Sequence, residues 1–420
     1  MSRIAVVGAG ISGLACAWLL SQRHEVVLFE SGRQAGGHAH TVDVSVGGTT
    51  CPVDAGFLVY NEASYPNLAR LFATLGVESV AAERSFSVRI GDGALEWSDA
   101  GLAGVFAQPA NLASPRFLRM LADLLRFNRE AGALARSGTP VAGSLGEFLD
   151  ARGYGRELRE LYLVPMAASA WSAPASRIYR FPMATFLRFF ANHGLLSFSE
   201  RPRWRAVKGG AREYVGRLAA TLRELRLSSR VQQLRRFAGH VEVATERGAE
   251  RFDEAVLATH ADQTLALLEH PSEEERAVLK AVPYVANRAV LHTDESLLPR
   301  RRRAWASWNF HAPRPELSEE PVAITYLLNR LQPLPVATPV MLSMNPVQAP
   351  REERILGGFE YHHPVFLEGS EAAQRRLGPL QGLNRTWYCG AWTRHGFHED
   401  GLVSALAVAR RLGAEVPWTA

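Results

Sequence analysis

The chain has 420 residues, 47% of them hydrophobic and 21% charged, which excludes a disordered polymer and suits two interleaved domains with sizeable cores. The formal net charge of +5 rests almost wholly on arginine, since Lys208 and Lys280 are the only lysines, and a charge this mild reads as ordinary solubility. Nucleic-acid binding is excluded because the strongest basic cluster, Arg300–Arg303, is short and has no recognition module around it; a metal site is excluded because Cys16, Cys51 and Cys389 have neither CxxC nor zinc-ligand spacing.

The first element is a short buried strand over Arg3 to Val7, followed by a turn at Gly8-Ala9-Gly10 and a buried helix from Ile11 to Ser21. His24 to Glu30 (HEVVLFE) is rich in β-branched residues and reads as a second strand, which completes a βαβ unit. The turn carries G-x-G-x-x-G, with Gly8 for the tight turn, Gly10 for close approach of the backbone to a pyrophosphate and Gly13 for helix–strand packing. Ile11 and Ser12 open the helix, whose N-terminal N–H groups and positive dipole end suit phosphates. Glu30 ends the second strand, where an acid accepts hydrogen bonds from adenosine ribose hydroxyls. Ser31 and Arg33 follow it, and Gly36-Gly37-His38 adds a second glycine turn.

Leu112 to Ala135 and Ser144 to Leu163 have helical periodicity, Ser176 to Pro182 connects, and Met183 to His193 is helical again. Within the first of these, Phe117, Leu118, Leu121, Leu124 and Leu125 recur at helical spacing between Arg116, Arg119 and Arg126. That pattern fits an interfacial helix on an anionic membrane and, equally, a surface helix packed on its own domain. Strands follow near Ser229 to Ala244 (turning at Gly239), Glu250 to Thr259, Val285 to Thr293 and Pro321 to Arg330. Ala312 to Pro321 and Gln332 to Pro339 are proline-rich loops, and the last helix runs from about Leu402 to Leu412. The expected fold is α/β: a discontinuous Rossmann-type dinucleotide domain from 1–75, 205–270 and 385–420, and an α+β substrate domain from 76–204 and 271–384. The low, odd cysteine count suits a cytoplasmic protein, and a start that leads straight into a strand leaves no room for a signal peptide. No apolar run is long enough to span a bilayer, so any membrane contact is expected to be peripheral, at the inner face.

The Glu30…Gly36-Gly37 spacing resembles the flavin amine oxidase superfamily, in which an arginine usually stands where this chain has His38. The resemblance implies FAD and extends to three further segments; the FAD is expected to be non-covalent because Cys389, the only cysteine near the inferred flavin, lies on the strand before Gly390 and faces the core. Ala55-Gly56-Phe57-Leu58 is similar to the stretch along the isoalloxazine. Ala258-Thr259 is similar to a turn beside the nucleotide, with Val231 at the adenine. Gly390-Ala391 and the helix opening at Glu399-Asp400-Gly401-Leu402 are similar to the segment that closes over the flavin, although both acids also suit helix capping. Across nearly the whole chain, strings such as YPNLARLF, WASWNF, ITYLLNRLQ and GFHEDGL resemble a subfamily of NAD/FAD-binding proteins similar to the N-terminal flavin domain of plant cyclopropane fatty acid synthases. That likeness implies a fatty acyl substrate, desaturated or isomerised, and a cyclopropane-synthase-type methyltransferase as partner. An amine oxidase and a non-catalytic flavin-stabilised partner are the alternatives. For proton handling the candidates are His395, His398 and Tyr60, each of which is equally a packing group. The aromatic residues Phe57, Tyr60, Trp171, Phe186, Phe189, Phe190, Trp305, Trp308 and Phe310 supply an apolar slot or ordinary core.

Overall fold

The computed structural model describes residues 1–139, 141–171, 175–196, 202–314, 323–367 and 369–418, apart from the side chains of 170–176; the side chain of Trp171 and residues 315–322 of the expected loop and strand therefore lie outside the description.

Five short strands form a parallel sheet in the order Glu224–Arg226, Glu25–Phe29, Arg3–Val7, Glu254–Leu257, Thr386–Tyr388. Its central strands are apolar on both faces, as a sheet covered by helices on each side requires. On one face lies the helix Ile11–Leu20, buried along nearly its whole length and backed by the final helix His398–Arg411. The strands Val231–Arg236, Val241–Thr245 and Gly248–Phe252 form an antiparallel meander between the first and fourth positions of the sheet.

A second sheet has seven strands in the order Ile355–Pro364, Tyr284–His292, Met341–Met344, Ala323–Leu327, Trp308–Ala312, Phe86–Ile90, Leu95–Ser98. All its pairings are antiparallel except that of Trp308–Ala312 with Phe86–Ile90. One part of it packs on helices including Pro115–Ser137, Leu145–Ala151 and Met183–Asn192. Another packs on the hairpin Thr41–Val46/Thr49–Asp54, which belongs to the nucleotide side of the molecule. The α/β architecture read from the sequence is the one observed.

Several elements differ in detail from the sequence reading, each for a local reason. The single strand expected over Glu250 to Thr259 is two strands in two sheets, broken at Asp253, whose Oδ2 accepts from the Arg3 N–H at 2.7 Å. The helix expected from Ser144 to Leu163 is interrupted at Gly153, where φ is +63°, and resumes at Arg156 before a π-turn over Arg159–Leu163. The final helix begins four residues early, at His398, because the Asp400 carboxylate accepts from the Phe397 N–H at 3.0 Å and caps the turn.

The long helix Pro115–Ser137 starts at Ser114, whose Oγ accepts from the Phe117 N–H at 3.3 Å, and ends at Gly138 in the left-handed region. The expected leucine stripe divides there. Phe117 and Leu124 are buried with Met120 and Phe127, whereas Leu118 and Leu125 are 44% and 61% exposed. Three of its five arginines are ion-paired, Arg116 with Glu160 at 3.5 Å, Arg119 with Glu157 at 3.1 Å and Arg126 with Asp123 at 3.1 Å. The helix is therefore first a core element. Among the described residues no helix is long and apolar enough to cross a membrane.

Candidate functional site

A cavity of about 1160 Å³ opens at the C-terminal edge of the parallel sheet. Its floor is the turn Gly8–Ser12. Gly8 has φ +99°, and a Cβ there would press on the Ala258 carbonyl oxygen at 3.1 Å. A side chain on Gly10 would meet nothing within 4 Å and would instead fill cavity space, as expected where a ligand backs onto the main chain. The helix beginning at Ile11 has no acidic residue in its first turn, so its N–H groups and dipole face the cavity uncompensated.

Glu30 lies in the wall. Its Oε2 accepts from the Ala9 N–H at 2.8 Å and its Oε1 from the Gly32 N–H at 2.7 Å, which fixes the carboxylate while leaving lone pairs for a diol. Ser31, Gly36, Gly37, His38, Gly56, Phe57, Val231, Ala258, Thr259, Gly390 and Ala391 complete the expected lining, and the structure brings all of them together. These residues fit FAD: a glycine cradle for a diphosphate, an acid for a ribose, and a volume suited to a dinucleotide.

Other expected residues stand apart from the cavity. Gly13 is a packing position: a Cβ there would sit 1.7 Å from the Gly8 carbonyl oxygen. Gly401 plays the same part between helices, where a Cβ would lie 2.8 Å from Ser12 Oγ, and Leu402 is fully buried in the core. Arg33 is exposed and lines neither cavity. Glu399 serves another helix altogether. Its Oε1 accepts from the Asn67 N–H at 2.9 Å and its Oε2 from the Leu68 N–H at 2.9 Å, capping Pro66–Leu75. Asp400 caps its own helix, and burial pushes its carboxyl up to about 6. Both acids are thus capping groups and not cofactor contacts.

A second cavity of about 200 Å³ adjoins the first; His38, Gly56, His363, Pro364, Gly396 and Phe397 line both. Ala55, Leu58, Ser169, Trp308, Tyr326, Leu342, Met344, Tyr361, Phe366 and His395 close the rest of it. No carboxylate, lysine or arginine is among these lining residues. Of the aromatic candidates, Phe57 and Trp308 reach the cavities, whereas Phe186, Phe190 and Phe310 are core and Phe189 stacks on His193. Tyr60 is buried away from both, with its hydroxyl donating to Ser79 Oγ at 2.9 Å, so it is a packing residue.

His38, His363 and His398 are kept neutral by burial. Desolvation lowers His38 and His398 to about 3 and His363 to about 4, and the neighbouring imidazoles add to the effect on His38 and His363. His398 stacks on Phe57 with ring centroids 4.1 Å apart, and its Nε2 meets the Tyr214 hydroxyl at 2.6 Å. That hydroxyl keeps its proton, because burial raises its pKa well above the ordinary value. His398 therefore lines the large cavity as an oriented aromatic wall, and His395 lines the small one.

The sequence reading missed a whole wall. Ser229, Arg230, Gln232, Glu246 and Gln263 line one part of the nucleotide cavity, and His260, Tyr284, His362, His363 and Pro364 line another. A signal existed in Tyr361-His362-His363-Pro364, three hydrogen-bonding rings ended by a strand-terminating proline, but nothing local ties it to the glycine turn some 350 residues earlier.

Comparison with known proteins agrees with this geometry. A model described as an NAD(P)-binding Rossmann-like domain matches residues 6–75. No curated protein sequence matches the chain. Among solved structures, a CLA-producing fatty acid isomerase from P. acnes is similar at TM-score 0.70 and 15% identity, over 98% of this chain and 99% of that one. Putrescine oxidase bound to putrescine is similar at TM-score 0.70 and 14% identity, over 98% of each chain. Cyclohexylamine oxidase from Brevibacterium oxydans gives 0.64 and 16%, over 98% and 99%. The fold is thus the two-domain, amine-oxidase-like fold with a Rossmann-type dinucleotide domain.

Proposed function

We propose that the protein is an FAD-dependent oxidoreductase acting on an uncharged, apolar segment of a fatty acyl chain, by desaturation or by double-bond isomerisation. The observation that carries this reading is the small cavity beside the nucleotide site, whose lining includes aromatic and aliphatic groups, neutral imidazoles and, among the described residues, no carboxylate. A cationic amine would enter it without a counter-charge, at a desolvation cost of several kcal/mol. An alkyl or alkenyl segment gains about 0.8 kcal/mol for each methylene buried. The similarity to a fatty acid isomerase supports the same substrate class, and the similarity to two amine oxidases supplies the competing one.

When bound, the flavin would supply hydride acceptance. The chain's own residues do the rest. Gly8–Ser12 and Glu30 hold the dinucleotide, and Phe57, Trp308, Tyr326 and Phe397 exclude water from the reacting carbon atoms. Binding is non-covalent with respect to cysteine, since Cys389 is fully buried beside Cys16 and lines neither cavity. Substrate reaches the protein from a lipid surface that meets Leu118 and Leu125 on the outer edge of the long helix. A lipid methyltransferase of the cyclopropane-synthase type is the proposed functional partner.

The test is substrate choice. Purified yellow protein mixed anaerobically with long-chain unsaturated acids should show a transient or lasting loss of the visible flavin band, and the recovered lipid should carry a moved or added double bond. A protein whose flavin responds to amines and to no lipid is an amine oxidase.

A further inference from the structure

The junction of the two cavities contains a hydrogen-bond chain whose direction can be fixed from the backbone outward. It begins at the Arg288 N–H, which donates to Asn345 Oδ1 at 3.0 Å. A backbone amide can only donate, so this contact identifies the acceptor end of the Asn345 amide. Asn345 stands at φ +45°, a conformation asparagine tolerates better than most residues, at the corner after the strand Met341–Met344.

With Oδ1 so assigned, Asn345 Nδ2 donates to Asn287 Oδ1 at 2.7 Å. Asn287 is fully buried, and its own Nδ2 has two protons to place. One goes to the Val285 carbonyl at 3.1 Å, and the other points at His363 Nδ1 at 3.0 Å. Nδ1 of His363 is therefore an acceptor. An imidazole whose Nδ1 accepts carries its proton on Nε2. Burial, with His260 and His362 close by, holds the ring neutral, and His38 lies with its ring centroid 5.3 Å away. The charged-form neighbours of His363 are thus imidazoles; among the described residues no carboxylate lowers the cost of charging it.

We infer that His363 is a tautomer-locked hydrogen-bond donor, presenting Nε2–H to an uncharged acceptor atom (a carbonyl oxygen or a heteroaromatic ring nitrogen) of the ligand bound where the two cavities meet. Asn287 and Asn345 are positioning residues that act through it. The acceptor comes from one of two sources, the flavin ring or the acyl carbonyl of the substrate, and the assignment rests on the flavoprotein reading for the first source only. His363 is excluded as a general base, because the only nitrogen it turns to the ligand already bears a proton.

The lock is tested without turnover. In protein labelled with 15N-histidine, the resonance lost in His363→Gln should report a neutral Nε2–H tautomer that does not titrate down to pH 5. Replacing Asn287 by Leu should leave a mixture of tautomers, and Asn287→Asp, which puts an acceptor opposite Nδ1, should reverse the tautomer and raise the pKa. A His363 that bears its proton on Nδ1 in the unaltered protein, or that protonates near its ordinary pKa, overturns the inference. This arm holds whether or not FAD is bound, so its failure is separable from failure of the proposed function.

The ligand arm uses the holoprotein and a long-chain fatty acid methyl ester. If the flavin is the acceptor, His363→Phe should shift the visible flavin band and the midpoint potential; Asn287→Leu should shift both by less. If the substrate is the acceptor, the spectrum should stay put while the ester binds roughly three- to tenfold more weakly, the loss of one net hydrogen bond. Variants that change neither leave His363 as a wall residue and overturn the ligand assignment.

Discussion

The two walls of the nucleotide cavity are built by opposite means. The floor, Gly8–Ser12 with Glu30, is made of main chain and one acid inside a single βαβ unit, and the hydrogen bonds that hold its carboxylate are local, 21 residues to Ala9 and two to Gly32. A second wall, His38, His260 and His363, joins side chains from three distant segments, and strand pairing sets His363 against Asn287, 76 residues away. The first depends on the absence of side-chain atoms, at Gly8 because of the Ala258 carbonyl and at Gly10 because a side chain would fill the cavity; the second depends on the direction of each hydrogen bond. Geometry is conserved in one by sterics and in the other by proton placement.

The largest expected effect on the cofactor follows from sterics. Gly13→Ala would place a methyl 1.7 Å from the Gly8 carbonyl oxygen, so the turn must move. It should cost about 3 kcal/mol and yield colourless protein, checked by denaturant titration and by the absorbance of the purified variant. A yellow variant of ordinary stability would remove the argument for the floor.

The long helix gives the same contrast between faces at similar scale. Phe117→Ala, at a fully buried ring, should cost about 3–5 kcal/mol in urea unfolding, whereas Leu125→Asp on the outer face should stay within about 0.5 kcal/mol. The second variant should also lower co-sedimentation with lipid vesicles, because it removes an exposed apolar side chain from the outer face.

Glu30→Ala comes next. It removes charge-assisted hydrogen bonds worth about 1.5–3 kcal/mol each, so FAD should bind roughly ten- to a hundredfold more weakly, read by flavin fluorescence on titrating apoprotein. Because the same carboxylate also holds Ala9 and Gly32, a modest fall in melting temperature should accompany it.

Asp400 provides a smaller, pH-dependent effect. Burial raises its folded pKa to about 6, above the unfolded value, so the folded state binds the proton more tightly. Its charged form therefore weakens the fold at pH 7, and the penalty is relieved as pH falls through about 6 towards 4. Asp400→Asn should be the more stable protein at pH 7, by about 2 kcal/mol at most, with the advantage gone at pH 4. Equal stability differences at both pH values would contradict the raised pKa.

The contrast between walls also explains what was legible in the sequence. The βαβ unit, the glycine turns and Glu30 could be read because each is a local rule about backbone conformation. The α/β architecture followed from those rules. Asp400 and Glu399 were harder: adjacent acids at a helix start serve two different helices, and only the tertiary position of Asn67 separates their roles. The aromatic residues misled for a general reason, since a ring at helical spacing looks the same whether it faces a core or a cavity; Phe186 and Trp308 differ only in what lies opposite. The direction of the Asn345–Asn287–His363 chain exists only once strands 57 to 76 residues apart are in register, and no local pattern encodes it.

The central claim is that this site binds FAD and turns it toward an uncharged hydrocarbon. One anaerobic stopped-flow experiment tests it most directly, with the yellow protein mixed in parallel with a long-chain unsaturated fatty acid and with putrescine while the flavin band is followed and the lipid recovered for double-bond analysis. The account predicts a flavin response and a changed double bond with the acid, and no response with the diamine. Rapid flavin reduction by putrescine, with the fatty acid recovered unaltered, would contradict it.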